Sequence, residues 1–208
     1  KARAIYADNH PKVWMAGEDI RQTDPKEILK ALKLSPGALD LLAGCPPCQA
    51  FSRIRKRNKN RSAQDGRNQL IEEFCRFVLA MLPKRVMLEN VPGLIDHHRF
   101  TKLIRSLTEA GYELRHEVLD VREFGVPQRR KRLILLGSLE GKPGIARRRQ
   151  KNITVRDAIG KLPQAGASGD PLHDLQERRS EKVMALLHAI PLDGGSRTDL
   201  PKSMRLKC

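Results

Sequence analysis

A short apolar run, Ala38 to Ala43, leads straight into Gly44-Cys45-Pro46-Pro47-Cys48-Gln49, and this junction constrains the fold more than any other segment. A run of that length suits a buried strand, and paired prolines cannot continue it. The chain therefore leaves the strand's carboxyl end as a loop. The arrangement recurs. Gln69 to Leu82 spaces its apolar residues as a helix does, and Pro83 stops it. Arg85 to Leu88 reads as a second strand, entering Glu89-Asn90-Val91-Pro92-Gly93. Phe100 to Ala110 reads as a helix with Gly111 as its end signal. Tyr112 to Leu119 and Leu133 to Gly137 read as further strands. Strand, loop, helix, strand predicts an α/β fold with a doubly wound, mostly parallel sheet. Such sheets bind ligands at the carboxyl ends of their strands, where both motif loops fall.

After about Gly141 the character changes. Gly, Pro and Arg dominate as far as Lys151. Thr154 to Leu162 reads as a short helix with Thr154 as its cap, Pro163 to Pro171 as loop, and Glu181 to Ile190 as another helix. The expected organisation is a sheet domain over residues 1–140 and an appended region over 141–208.

Charge narrows the partners. Forty Lys plus Arg stand against 24 Asp plus Glu, a net charge of +16 spread over several clusters. A folded domain with such a field attracts polyanions, and nucleic acid is the expected partner. The plainer alternative is a set of solvated Lys and Arg faces. No run approaches the roughly 20 apolar residues of a membrane-spanning helix, so no membrane partner is expected. The opening KARAIYADNH lacks the apolar stretch of a secretion signal. Four cysteines are too few and too irregular for a disulfide scaffold, which points to a reducing, cytoplasmic setting.

Cys48 is the candidate nucleophile. Paired prolines stiffen its approach, and Arg53, Arg55, Lys56 and Arg57 nearby favour the reactive thiolate. The competing reading is a buried structural cysteine. Cys45 and Cys48 also form a C-x-x-C, but no second such pair follows to complete a zinc site, so no metal is expected. Glu89, at the end of an apolar strand, is placed to lose solvent and donate a proton, with Asn90 able to orient it. The alternative is an exposed loop acid. Gln128, Arg130 and Arg132 fall on one face of an extended segment and can converge on a carboxylate, phosphate or base edge. Between Arg53 and Arg61, six of nine residues are cationic, as in a loop that clamps phosphates.

Taken in order, Pro47-Cys48-Gln49, Glu89-Asn90-Val91 and Gln128-x-Arg130-x-Arg132 resemble the DNA methyltransferases that make 5-methylcytosine. Tyr6-x-x-Asn9-His10-Pro11, Gly17-Glu18-Asp19-Ile20 and Thr154 to Ile159 with Leu162-Pro163 strengthen the likeness. The resemblance covers about residues 3–163. It implies a Rossmann-like fold dependent on S-adenosylmethionine, and double-stranded DNA as substrate. It assigns attack on a flipped-out cytosine to Cys48 and protonation at ring nitrogen 3 to Glu89. Arg132 would hold the base carbonyl, Arg130 would position Glu89 or the Cys48 loop, and Asn90 would support the pocket. Asp19, Ile20, Gly44, Pro47 and Leu70 would bind the cofactor. Gln49, Ser52, Arg53, Arg55 and Gln128 would meet DNA. The family's glycine-rich first loop and its late cofactor segment are not found in the sequence. The resemblance therefore implies part of a longer bacterial enzyme, acting as a monomer at the nucleoid, with a target-recognition region beginning near residue 208. These residues alone are expected to bind cofactor weakly.

Three other readings stay open. One is an RNA cytosine methyltransferase of the same fold, acting on transfer RNA. Another is a non-catalytic DNA-binding relative. The third is a zinc or redox protein built on Cys45 and Cys48.

Overall fold

The computed structural model describes residues 2–47, 69–148, 153–175, 178–192 and 194–205. Two compact units divide after Ala158. In the first, helices α1 (Ala2–Asn9) and α2 (Pro25–Ala31) precede strand β1 (Leu41–Gly44). Helix α3 (Leu70–Met81), β2 (Arg85–Asn90), α4 (His98–Glu109), β3 (Glu113–Asp120) and β4 (Lys131–Ser138) come next, and α5 (Val155–Ile159) straddles the division.

The sheet runs β1-β2-β4-β3. β1 and β2 pair in parallel, and β4 is antiparallel to both β2 and β3. Strands β1, β2 and β3 therefore point the same way, and β4 is reversed between two of them. The α/β class holds, but the sheet is mixed where the sequence suggests a mostly parallel one. The reason is the connection: residues 121–130 are too few for the crossover of a dozen or more residues that parallel neighbours need. They make a short 3-10 turn, Val121–Phe124, and the chain folds straight back.

Helices α3 and α4 cover one face of this sheet. Ile71, Phe74 and Val78 recur at the helical period, as do Phe100, Leu103 and Leu107. They pack on Val86 and Leu88 of β2 and Leu133 and Leu135 of β4. The alternation along β2 fits this one-sided burial: Val86, Leu88 and Asn90 are buried, while Arg85 and Met87 are exposed. Helix α3 ends where the sequence predicts. Leu82 turns left-handed (φ 47°), its N–H bonds the Val78 carbonyl at 2.8 Å, and Pro83 follows. The Pro83 carbonyl is then taken by the buried Tyr112 hydroxyl at 2.7 Å.

Helix α2 is not anticipated from the sequence. It is one of the shortest helices, yet Asp24 caps it by accepting from the Lys26 N–H, and Pro25 opens it. Its Leu29 joins Phe77 and Met81 in a small second core. The unit boundary also lies further on than the compositional change at Gly141. Arg148, past β4, pairs with Glu117 and with Glu123 (2.7 Å), holding residues 141–148 to the sheet unit.

The second unit holds helix α6 (Glu181–His188) and a 3-10 turn, Lys202–Met204. Its loop at 163–174 is organised by Asp174, whose carboxylate accepts from the backbone N–H groups of Gly166, Ser168 and Gly169 and from the Ser168 hydroxyl. The Ser168 hydroxyl and these N–H groups hold the Asp174 carboxyl down at about 2.

Candidate active site

The parallel pairing of β1 and β2 sets Gly44 beside Leu88, so the two motif loops leave the sheet side by side. Asn90 ties them together. Its Nδ2 donates to the Pro46 carbonyl at 3.0 Å, and its Oδ1 accepts the Val91 N–H at 2.8 Å. Asn90 is buried, so both halves of its amide are used. One residue before each member of that bond, Cys45 neighbours Glu89. Partial burial pushes the Cys45 thiol up, and the Glu89 charge acts in the same direction.

Glu89 is clasped from β4. Arg132 Nε lies 2.8 Å from Glu89 Oε1, and Arg130 Nη2 lies 3.8 Å from the same oxygen. The three side chains line a groove of about 380 Å³ together with Met87, Phe124, Ile134 and Leu136. A buried acid absent from the sequence-predicted site, Asp120, holds the arginine-bearing hairpin. It accepts from the Arg122 N–H, Nε and Nη2, at 2.8 Å for the last. The Arg130 backbone adds to the hold, and together these contacts keep the Asp120 carboxyl at about 2. The available signal was local: an acid ending an apolar strand, two residues before an arginine.

A second cavity, of about 330 Å³, opens on the α3 side of β1. Ile20, Gly44, Pro47 and Leu70 line it, with Phe74 and Phe77. Gly44 is required there: a Cβ would lie 2.6 Å from the Phe74 ring. The walls are apolar side chains and strand-end backbone, as suits a flat organic ligand with a few polar edges.

Residues 1–189 match the family described as C-5 cytosine-specific DNA methylase. The chain belongs to that family. It is 33% identical over 190 residues to the Type II methyltransferase M.AgeI of Thalassovita gelatinovora, covering 78% of this chain and 43% of that protein. With the Type II methyltransferase M.AquIA of Picosynechococcus it shares 36% identity over 145 residues, 64% of this chain and 57% of the other. A DNA modification methyltransferase encoded within an Escherichia coli prophage superposes with a TM-score of 0.60 at 25% identity, covering 77% of this chain and 45% of that one. Spodoptera frugiperda DNMT2 shares the fold (TM-score 0.52, 21% identity, 88% and 51% covered). The chain thus spans about half the length of these relatives.

Within this cytosine-methylase chain, the expected site residues fall into distinct places. Glu89, Arg130 and Arg132 meet in one cluster, and Asn90 links it to the Pro46 loop. Ile20, Gly44, Pro47 and Leu70 share one cavity. Asp19 stands apart from that lining. Arg21 binds its carboxylate at 2.5 Å and holds it at about 2. Gln128 is not on an extended face with the arginines, because its N–H bonds the Val126 carbonyl at 2.8 Å in a turn. Cys48, Gln49, Ser52, Arg53 and Arg55 lie outside the described residues. Among the described residues no cluster of three or more His, Cys, Asp or Glu could hold a metal, and no helix is long and apolar enough to cross a membrane.

Proposed function

We propose that this chain carries the catalytic centre of an enzyme that methylates carbon 5 of cytosine in double-stranded DNA. The observation that carries this reading is the bond from Asn90 to the Pro46 carbonyl, which sets Glu89, clasped by Arg132 and Arg130, next to the loop that leads into Cys48.

The chemistry follows from the residue types. The ring carbons of a stacked, paired cytosine are out of reach of a thiolate, so the base must be extruded from the duplex. The Cys48 thiolate adds to carbon 6 while Glu89 delivers or holds a proton at ring nitrogen 3. That addition makes carbon 5 an electron-rich enamine carbon. S-adenosylmethionine, when bound, supplies the methyl group that carbon 5 takes up. Loss of the carbon 5 proton to a base, expulsion of the Cys48 thiolate and return of the ring nitrogen 3 proton to Glu89 restore the ring. Arg132 and Arg130 hold the Glu89 carboxyl and offer donors to the base carbonyl oxygen. The basic loop of Arg53 and Arg55, together with Gln49, Ser52 and Gln128, contacts the DNA and offsets the few kcal/mol that extrusion costs.

The cavity beneath Gly44 fits S-adenosylmethionine in size and character. It falls at the small end of the usual range for ligand sites, roughly 300–1,000 Å³, and adjoins the Cys45-to-Pro47 segment. Methyl transfer by the full-length protein tests the proposal. Tritiated S-adenosylmethionine is supplied with mixed-sequence duplex DNA or with transfer RNA, and the products are digested to nucleosides. Label in 5-methyldeoxycytidine supports the reading. Label only in ribonucleosides moves the substrate to RNA. No label in protein shown to bind cofactor points to a non-catalytic relative.

A further inference from the structure

Arg76 sits midway along α3, yet its guanidinium reaches a loop more than fifty residues earlier. Its Nη2 donates to the carbonyls of Ile20 (2.7 Å) and Thr23 (3.1 Å). Its Nε donates to Glu73, one turn back on α3, at 2.7 Å. The guanidinium carbon stands 4.9 Å from the centre of the Phe77 ring. Contacts on an edge, a second edge and a face fix the plane of the fork, so both carbonyl bonds are formed from a preset geometry.

The loop it grips is itself tightly bound. The Thr23 hydroxyl and the Gln22 N–H both donate to the Asp19 carbonyl, at 2.8 and 3.0 Å. Arg21 grips the Asp19 carboxylate, and the Glu73 charge acts on Arg21 in turn. Charges alternate from Asp19 to Arg21 to Glu73 to Arg76, linking the loop to the helix. Gly17 is packed so closely on Thr23 that a Cβ would lie 2.5 Å from its hydroxyl oxygen. The loop is therefore bonded into one unit, and Arg76 joins that unit to α3. Ile20, whose carbonyl Arg76 holds, lines the cavity beside Phe77, which the guanidinium overlies. Arg76 does not line the cavity, so whatever it does there it does through Ile20.

We propose that Arg76 is a positioning residue for the cofactor cavity, pinning the Ile20 loop to α3 so that this wall stands ready before the cofactor arrives. The inference rests on the reading of that cavity as the S-adenosylmethionine site. Preorganisation of this kind lowers the ordering cost of binding and acts on affinity rather than on the chemical step.

The test is calorimetric binding of S-adenosylmethionine and S-adenosylhomocysteine to the full-length protein without DNA, for wild type, Arg76→Ala, Arg76→Lys and Ile20→Arg. Melting temperatures and steady-state kinetics accompany each. The expected result for Arg76→Ala is a Kd raised roughly tenfold, the scale of losing charge-assisted bonds. Its KM for DNA and its kcat at saturating cofactor should stay within about twofold. Arg76→Lys, with a point charge and no fork, should fall between, and it carries the test alone should Arg76→Ala fail to fold. Unchanged cofactor Kd in both Arg76 variants, with binding lost in Ile20→Arg, would overturn the positioning role and leave the cavity reading intact. Unchanged Kd in all three would overturn the cavity reading and the proposal with it. A parallel loss of kcat, DNA affinity and melting temperature would reduce Arg76 to a general stabiliser.

Discussion

Arg132 meets Glu89 across the β2–β4 pair, with Nε 2.8 Å from Oε1. The Glu89 carboxyl is the proposed proton donor, and Arg132 fixes where that carboxyl stands. Glu89→Gln keeps the shape and removes the acid, and should lower single-turnover methyl transfer by about 10²- to 10⁴-fold, the usual weight of general acid catalysis. Arg132→Lys keeps the charge and loses the fork, and should cost about 10- to 100-fold. A rate within about twofold of wild type for Glu89→Gln would remove Glu89 from the chemistry, and the same result for Arg132→Lys would deny the Arg132 fork its role.

Gly44→Ala should act on the cofactor before it acts on the fold. The added methyl would meet the Phe74 ring at 2.6 Å in the wall of the cavity. Relief by shifting Phe74 fills space that the ligand needs. Overpacking of this kind costs about 1–3 kcal/mol, read by denaturant unfolding, and the cofactor Kd should rise at least about tenfold by the same measure. Wild-type affinity in a folded Gly44→Ala protein would place the ligand elsewhere.

Tyr112 gives an alkaline signature. Burial raises its hydroxyl to about 12, while an unfolded chain releases that proton near 10.0. The folded form therefore gains its full contribution below about 10, and loses it as pH rises towards about 12. Tyr112→Phe should abolish that alkaline loss. It should also cost about 1–3 kcal/mol at neutral pH, because the Pro83 carbonyl loses its donor. Urea unfolding at stepped pH, with tyrosinate absorbance followed in parallel, checks both.

Asp120 gives the acid counterpart. Its carboxyl titrates at about 2 in the fold against an ordinary 3.8, with the Arg122 hydrogen bonds as the main cause. The depressed value means stability that is present above about 4 and lost as pH falls through about 2. Asp120→Asn should flatten part of that acid slope. It should also slow methyl transfer, by loosening the turn that presents Arg130 and Arg132. An unchanged slope and rate would deny Asp120 this role.

How much of the fold and site was legible in the sequence depends on the range over which each signal acts. Helices α3 and α4 were readable because Ile71, Phe74 and Val78, and Phe100, Leu103 and Leu107, repeat at the helical period and end in Pro83 and Gly111. Helix α2 was not, because its few residues carry too little periodicity and its Leu29 finds Phe77 only in the fold. The cluster of Glu89, Arg130 and Arg132 could be inferred from motif order. The reversal of β4 that brings them together depends on how long a connection must be. Arg76 was invisible, since an arginine on the polar side of a helix looks solvated until the loop at Ile20 and Thr23 arrives.

Covalent trapping puts the proposed role of Cys48 to the sharpest test. Full-length protein is incubated with S-adenosylmethionine and duplex DNA bearing 5-fluorocytosine, then denatured and mapped by peptide mass. Fluorine at carbon 5 cannot leave as a proton does, so the enzyme should stop with Cys48 joined to carbon 6. The expected product is a denaturation-resistant adduct on the peptide containing Cys48, absent in Cys48→Ser and greatly reduced in Glu89→Gln. An adduct on Cys45, or methyl transfer that proceeds with no adduct in a Cys48→Ser protein, would contradict that role.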